Sequence, residues 1–238
     1  MSMSVRRHLP NALTLTNLLC GAAALVVLLT QGDPALVLVL LSVALVADLL
    51  DGRVARALGV SGPLGAVLDS LADLVSFGLV PAAAIAMASE AAPSPLAMVA
   101  GAAIVCAAGY RLARFTAEAL TLAGTPTEQV PPAKPAFKGL PVTIPAAILV
   151  GATVSGINPP PGVLAITAIV LSALMVSRVP FRSFKDKPLV AVAAPVLFLA
   201  AVFSVAVGST VFGVGTTLAL GGLAFVLFGL AHAVRANA

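Results

Sequence analysis

Apolar residues run through this chain in long blocks that short polar segments interrupt. Eight blocks approach the ~20 residues that an α-helix needs to cross a bilayer. They cover about residues 13–30, 35–52, 64–88, 95–117, 142–157, 162–179, 188–207 and 209–232. The pattern predicts an all-α fold, a polytopic membrane helix bundle of about eight transmembrane helices. Residues 5–11, VRRHLPN, predict a short interfacial segment before the first helix.

Composition supports one integral-membrane domain over residues 1–238, with about 188–232 as accessory scaffold helices. Hydrophobic residues make up 60% of the chain and charged residues only 9%, whereas soluble domains carry roughly 25% charged residues. The net charge of +4 does not require a nucleic-acid partner, because basic residues commonly lie beside anionic lipid headgroups. We therefore expect membrane lipid as the surroundings and no nucleic acid.

The positive charges all fall on one side of the predicted bundle. With the N-terminus in the cytoplasm and eight helices threaded in turn, all 13 Lys and Arg residues lie in cytoplasmic connections or at the cytoplasmic termini. This distribution follows the positive-inside rule without exception, and it supports the predicted number of helices.

Four carboxylates lie inside one of the most apolar stretches, at Asp48, Asp51, Asp69 and Asp73. Residues three or four apart share a helix face, so each pair projects from one face of its helix. The Gly- and Pro-rich segment 58–65 between the pairs predicts a tight turn and an antiparallel hairpin. In a hairpin centred near residue 60 the four carboxylates meet at two levels, near the cytoplasmic edge.

Such a group would repel itself and take up protons unless cations lay within it. Oxygen-only ligands favour hard ions, Mg²⁺ or Mn²⁺, and four Asp can bridge two ions as in two-metal phosphoryl transfer. Gly52 and Ala55 lie on or beside the first Asp face, where small residues let a base or pyrophosphate approach closely, and Arg56 is placed for a phosphate. The alternatives are polar packing between helices and a cation or proton transporter with an acidic site.

The spacing of this segment resembles the signature of the CDP-alcohol phosphotransferases. The eight matching positions are Asp48, Asp51, Gly52, Ala55, Arg56, Gly65, Asp69 and Asp73. The resemblance implies a membrane enzyme with two divalent ions that cleaves a CDP-linked substrate and releases CMP. It implies that Asp48, Asp51 and Asp69 are metal ligands, and that Asp73 is both ligand and general base. It also implies a CDP site formed by Gly52, Ala55, Arg56 and Gly65, and a homodimer.

Shorter segments resemble bacterial-type phosphatidylserine synthases: PNALTLTNLLCG (10–21), YRLARF (110–115), FKGLP (137–141) and VSRVPFRSFK (176–185). This resemblance implies transfer of the phosphatidyl group from CDP-diacylglycerol to L-serine, at the cytoplasmic face of a bacterial-type plasma membrane. Arg111, Arg114 and Lys138 form a basic set able to hold the serine carboxylate or the lipid phosphate. Thr116 departs from the subfamily, which usually has Asn there. Glycerol 3-phosphate or inositol phosphate remains an alternative acceptor, because a phosphorylated alcohol would need the same basic residues.

Overall fold

The structure is a computed structural model that describes residues 3–60, 62–88, 94–123, 139–154 and 159–179, with residue pairs 218–219, 222–223 and 226–227. The described residues form helices and no strand, as the sequence predicts. In chain order the elements are α1 (Met3–Leu29), α2 (Pro34–Leu58), α3 (Pro63–Leu74), a π-helical segment (Val75–Leu79), α4 (Val80–Met87), α5 (Pro95–Ala123), α6 (Thr143–Val154) and α7 (Pro161–Val176).

Within the described part of the chain, four stretches of helix are long and apolar enough to cross a membrane. They are His8–Leu29, Pro34–Leu58, Pro63–Met87 and Pro95–Thr121. The fifth and sixth predicted helices occur as the shorter α6 and α7, and the last two, within 188–232, lie almost entirely outside the described residues. The protein is therefore an all-α membrane protein, and the number of eight transmembrane helices stays a prediction.

The predicted interfacial segment at residues 5–11 is helical and continuous with α1, with Pro10 inside the helix. A proline removes one backbone donor from a helix. The backbone nevertheless stays helical on both sides of Pro10, from Met3 to Leu29. The segment is thus the first part of α1 and not a separate element.

Local sequence defines the α2–α3 hairpin. Asp33 caps the start of α2, where its side chain accepts a hydrogen bond from the Ala35 amide at 2.8 Å. Gly59 ends the helix in the left-handed conformation at φ 65°, and its amide donates to carbonyls of the last turn. Pro63 then occupies the first turn of α3, where a missing N–H costs little. The predicted order of helix, short connection and helix is present, although α2 and α3 pack mainly on α1 and not on each other.

A π-helical segment follows α3 directly after the acidic stretch. Val80 donates its amide to the carbonyl of Val75, five residues earlier, and Pro81 comes next. Proline lacks the N–H that would bond to the Phe77 carbonyl in an α-helix, and such losses are a common cause of local irregularity. The apolar pattern of residues 64–88 gives no sign of this wider turn, so the sequence predicted one uninterrupted helix.

Helix α1 packs along α2 and also contacts α3 and the π-helical segment, while α5 packs on α7. Small residues such as Ala24 and Ala44 are fully buried where helices meet, as expected for close packing between membrane helices. Large apolar side chains point outward: Leu19 is 70% exposed, Met98 62% and Ile166 58%. Lipid tails would cover such a surface in a bilayer.

The end of the long connection between α5 and α6 is held against the end of α7. The Gly139 amide donates to the Val179 carbonyl at 2.9 Å, and the Leu140 amide donates to the Leu174 carbonyl at 3.1 Å. Leu140 is fully buried. The first bond joins FKGLP to VSRVP, two of the segments on which the subfamily resemblance rests, and the second joins FKGLP to the last turn of α7.

Candidate active site

Three carboxylates converge between α2 and α3. One oxygen each from Asp48, Asp51 and Asp69, the carboxylate trio, lies within 4.8 Å of the others. Oxygens around one Mg²⁺ or Mn²⁺ ion lie about 2.1 Å from the metal and hence roughly 3–4 Å from one another, so small rotations of these side chains would complete a shared site. The donor set contains only carboxylate oxygens, and it fits a hard divalent ion.

The hairpin explains this convergence. Asp48 and Asp51 lie one turn apart near the end of α2, and only four residues separate the end of α2 from the start of α3; both helices pack on α1, which holds their acidic ends near each other. Asp69 then lies opposite them. Asp51 is buried, and an ionised buried carboxylate needs compensation from cations or hydrogen-bond donors. Three carboxylates this close repel one another, and a bound cation would offset that repulsion.

Asp73 lies one turn beyond Asp69 and is not part of the carboxylate trio. Its side chain is buried, and its Oδ1 accepts a hydrogen bond from Nδ2 of Asn17 at 3.0 Å. The sequence predicted that all four Asp meet at two levels. The structure brings three of them together and places the fourth one turn further along α3, held from α1.

Helix α1 supplies two buried polar side chains that the sequence did not single out. Thr14 donates from Oγ1 to Oδ2 of Asp51 at 2.6 Å, and Asn17 donates to Asp73. The signal lay in PNALTLTN, where Asn11, Thr14 and Asn17 recur every three residues in an apolar helix. That spacing places them on one face. Their partners are on other helices, so the sequence alone does not identify them.

The residues predicted to form the CDP site line one cavity. Gly52, Ala55, Arg56 and Gly65 all border it, as do Asp51 and Asp69 of the carboxylate trio. Its volume is about 650 Å³, within the range of roughly 300–1,000 Å³ common for small-molecule sites. Asn11 and Thr14 of α1 also line the cavity. A nucleotide diphosphate bound here would lie directly against two of the three carboxylates.

Gly52 makes room for the Arg56 head group. A Cβ at position 52 would lie 3.3 Å from Nη1 of Arg56, which is tighter than an ordinary van der Waals contact. The two residues lie one turn apart on α2, so even an alanine at position 52 would require the guanidinium to shift by a few tenths of an ångström. The small residue therefore serves the arginine as well as leaving space for a ligand.

The predicted acceptor-binding residues occupy different environments. Arg111 is buried and lies within electrostatic range of Asp73 and Arg114, and its Nε has no hydrogen-bond partner among the described residues. Arg114 lies over the Tyr110 ring, 5.9 Å from its centroid, a cation–π distance. Lys138 lies outside the described residues.

Thr116, the departure from the subfamily, is buried and hydrogen-bonded. Its Oγ1 pairs with Oγ of Ser70, which lies on α3 directly after Asp69. The hydroxyl pair links α5 to α3 beside the acidic stretch. A polar side chain at this position thus has a structural partner, and threonine satisfies it.

Comparison with known proteins identifies the family. Residues 7–182 match the family model for CDP-alcohol phosphatidyltransferase. A Bacillus subtilis relative named CDP-diacylglycerol–serine O-phosphatidyltransferase is 32% identical over 184 residues, 75% of this chain and 92% of the relative. Relatives with the same name are 34% identical over 168 residues in Methanocaldococcus jannaschii (68% of this chain, 72% of the relative) and 41% identical over 104 residues in Saccharomyces cerevisiae (44% and 36%). The chain belongs to the CDP-alcohol phosphatidyltransferase family of membrane enzymes.

Proposed function

We propose that the protein transfers the phosphatidyl group of CDP-diacylglycerol to the hydroxyl of L-serine, giving phosphatidylserine and CMP. The observation that carries this proposal is a single cavity that joins the predicted CDP residues Gly52, Ala55, Arg56 and Gly65 to Asp51 and Asp69. The names of the relatives from three organisms support serine as the acceptor.

The reaction needs one bond made and one broken at phosphorus. The serine hydroxyl oxygen attacks the β-phosphorus, which carries the diacylglycerol, and the bond from this phosphorus to the bridging oxygen breaks. CMP leaves with that oxygen. Arg56, at the cavity wall, is placed to contact a phosphate and to offset its negative charge.

Asp48, Asp51, Asp69 and Asp73 would hold two divalent cations, Mg²⁺ or Mn²⁺. When bound, such ions neutralise the charge of the pyrophosphate and of the departing CMP. The carboxylate trio supports the proposal because its oxygens already lie within 4.8 Å of one another. Asp51 and Asp69 border the cavity as well, so the ligands and the nucleotide site are contiguous.

Asp73 is the proposed general base. It would accept the proton of the serine hydroxyl as the new P–O bond forms. Its position supports this role, since it is buried one turn from Asp69 and within electrostatic range of the Arg111 cation. An acceptor bound to that cation would lie near the carboxylate that receives its proton.

Arg111, Arg114 and Lys138 are the proposed acceptor-binding set. A buried arginine next to a catalytic carboxylate is suited to a bidentate contact with a carboxylate or phosphate. The serine carboxylate and the phosphate of glycerol 3-phosphate or inositol phosphate share this chemistry. The acceptor is tested by measuring CMP release from CDP-diacylglycerol with each alcohol in turn. Serine-dependent release is expected, and release with another alcohol but not with serine would contradict the assignment.

The active site is proposed to face the cytoplasm, and the protein is proposed to form a homodimer. The distribution of all 13 Lys and Arg residues supports an active site facing the cytoplasm, in a bacterial-type plasma membrane. The whole chain, residues 1–238, would act as one integral-membrane domain and would pair as a homodimer, as the family resemblance implies. Reactivity of single introduced cysteines at Arg53 and Gln31 with a membrane-impermeant reagent, applied to each side of the membrane, tests the orientation.

A further inference from the structure

The side chain of Asn17 is completely buried, and both of its polar ends are used. Its Nδ2 donates to Oδ1 of Asp73 at 3.0 Å, and its Oδ1 accepts from Oγ of Ser76 at 2.7 Å. Ser76 also lies 3.1 Å from the Asn17 backbone carbonyl, a second acceptor for the same hydroxyl. The serine hydroxyl must donate to the backbone carbonyl or to the side-chain oxygen. Because an ionised carboxylate only accepts hydrogen bonds, the NH₂ group of Asn17 faces Asp73, and Oδ1 of the carboxamide is left on the side of Ser76, where it accepts from that hydroxyl.

The packing around Ser76 is built to hold this arrangement. Ser76 is fully buried within the π-helical segment that follows Asp73. It lies against α1 at Gly21, where an added Cβ would come 2.8 Å from the Ser76 Cα and would collide with its hydroxyl. Only glycine lets the two backbones approach this closely. Helix α1 therefore contributes Asn17 and, one turn on, the space for the residue that orients it.

A carboxylate needs such support when its direction matters. The terminal torsion of an aspartate is broad and roughly two-fold, so the carboxylate rotates unless a hydrogen bond holds it. A donor on Oδ1 restricts the rotation of the group and leaves its other lone pairs for further partners. A misplacement of about 1 Å in a reacting group can reduce a rate by ~10²-fold.

We propose that Asn17, supported by Ser76, is a positioning residue for Asp73, and that its hydrogen bond helps to hold the carboxylate in the direction in which it accepts the proton of the acceptor hydroxyl. The inference rests on the proposed function, because it takes Asp73 as the proton acceptor. It goes further in assigning a role to α1, which carries none of the eight signature positions.

The test is a double-mutant cycle on the full-length protein, with CMP release as the assay. Asn17→Ala should lower kcat by ~10²-fold, and Ser76→Ala by roughly 10-fold, as is usual for outer partners of active-site ligands. The double variant should be no slower than Asn17→Ala alone, because Ser76 acts only through Asn17. The KM for CDP-diacylglycerol should stay within about threefold of wild type, since neither residue borders the cavity.

Matched controls separate positioning from general damage to the fold. Ser172 is a buried serine that donates to the Ala168 carbonyl within its own helix, and Thr16 is an exposed neighbour of Asn17 on α1. Ser172→Ala and Thr16→Ala should leave kcat unchanged. If Asn17→Ala does not fold, Ser76→Ala against Ser172→Ala still tests the proposal, because both variants lose one buried hydroxyl and the same small volume.

Two results would overturn the inference. One is strictly additive losses in the cycle, and the other is a change in KM with kcat intact. The cycle is run with whichever acceptor supports CMP release by the wild type. Should glycerol 3-phosphate work and serine fail, the proposed function is contradicted while the cycle still decides the role of Asn17.

Discussion

Replacing Arg111 should affect the acceptor and spare the nucleotide. Arg111 is buried, and its Nε has no hydrogen-bond partner among the described residues. In the complex the guanidinium would donate to the serine carboxylate. A hydrogen bond between charged groups contributes about 1.5–3 kcal/mol. Because 1.4 kcal/mol is a factor of ten, Arg111→Met should lower kcat/KM for serine by ~10–100-fold.

The assay is CMP release as a function of serine concentration, at saturating CDP-diacylglycerol and Mg²⁺. The loss should appear mainly as a higher KM for serine. Arg111→Lys keeps the charge but loses the planar fork, so it should recover part of the loss. Arg53→Met is the matched control, because Arg53 is exposed and has no assigned role. An unchanged KM for serine in Arg111→Met, or an equal effect in Arg53→Met, would refute the reasoning.

Three further predictions concern other parts of the structure. Gly52→Ala should raise the KM for CDP-diacylglycerol roughly 5-fold, about 1 kcal/mol, because the added Cβ would displace Arg56. The thermal midpoint should not fall, since alanine has a higher helix propensity than glycine. An unchanged KM would contradict this prediction. Asp73→Asn should reduce CMP release ~10³-fold, within the range for loss of a general base, in a protein that still elutes as wild type on gel filtration; normal turnover would refute the assigned base. Gly139→Ala should lower the thermal midpoint, because residue 139 has φ 88° and an added Cβ would meet the Met175 carbonyl. Gly162→Ala is the control: the space around Gly162 is open, so this variant should keep the wild-type midpoint.

The sequence predicted the acidic part of the site well because helix periodicity and a tight turn determine it. Asp48, Asp51 and Asp69 needed only the 3.6-residue repeat and a hairpin near residue 60 to be placed together. The residues predicted for the CDP site lie on the same two helices and line one cavity, and their role in binding CDP stays a prediction. Membership in a family of enzymes also decides against the transporter alternative considered from the acidic cluster alone.

Contacts between helices that are distant in the chain could not be predicted from the sequence. Thr14 and Asn17 belong to a visible polar stripe, but their bonds to Asp51 and Asp73 depend on how α1 packs against α2 and α3. The burial of Arg111 likewise depends on how other helices pack around α5. From the sequence, its spacing from Arg114 predicted only that both residues lie near one end of a helix. The π-helical segment leaves the hydrophobic pattern unchanged, so nothing in the sequence marked it.

The central claim is that the carboxylates between α2 and α3 hold divalent ions, and Mn²⁺ binding tests it most directly. Free Mn²⁺ is measured by electron paramagnetic resonance during titration of the detergent-solubilised full-length protein. The wild type should bind two ions per chain. The variant in which Asp48, Asp51 and Asp69 are all replaced by Asn should lose tight binding while remaining folded. Failure of the wild type to bind Mn²⁺, or equal binding by this variant, would contradict the account.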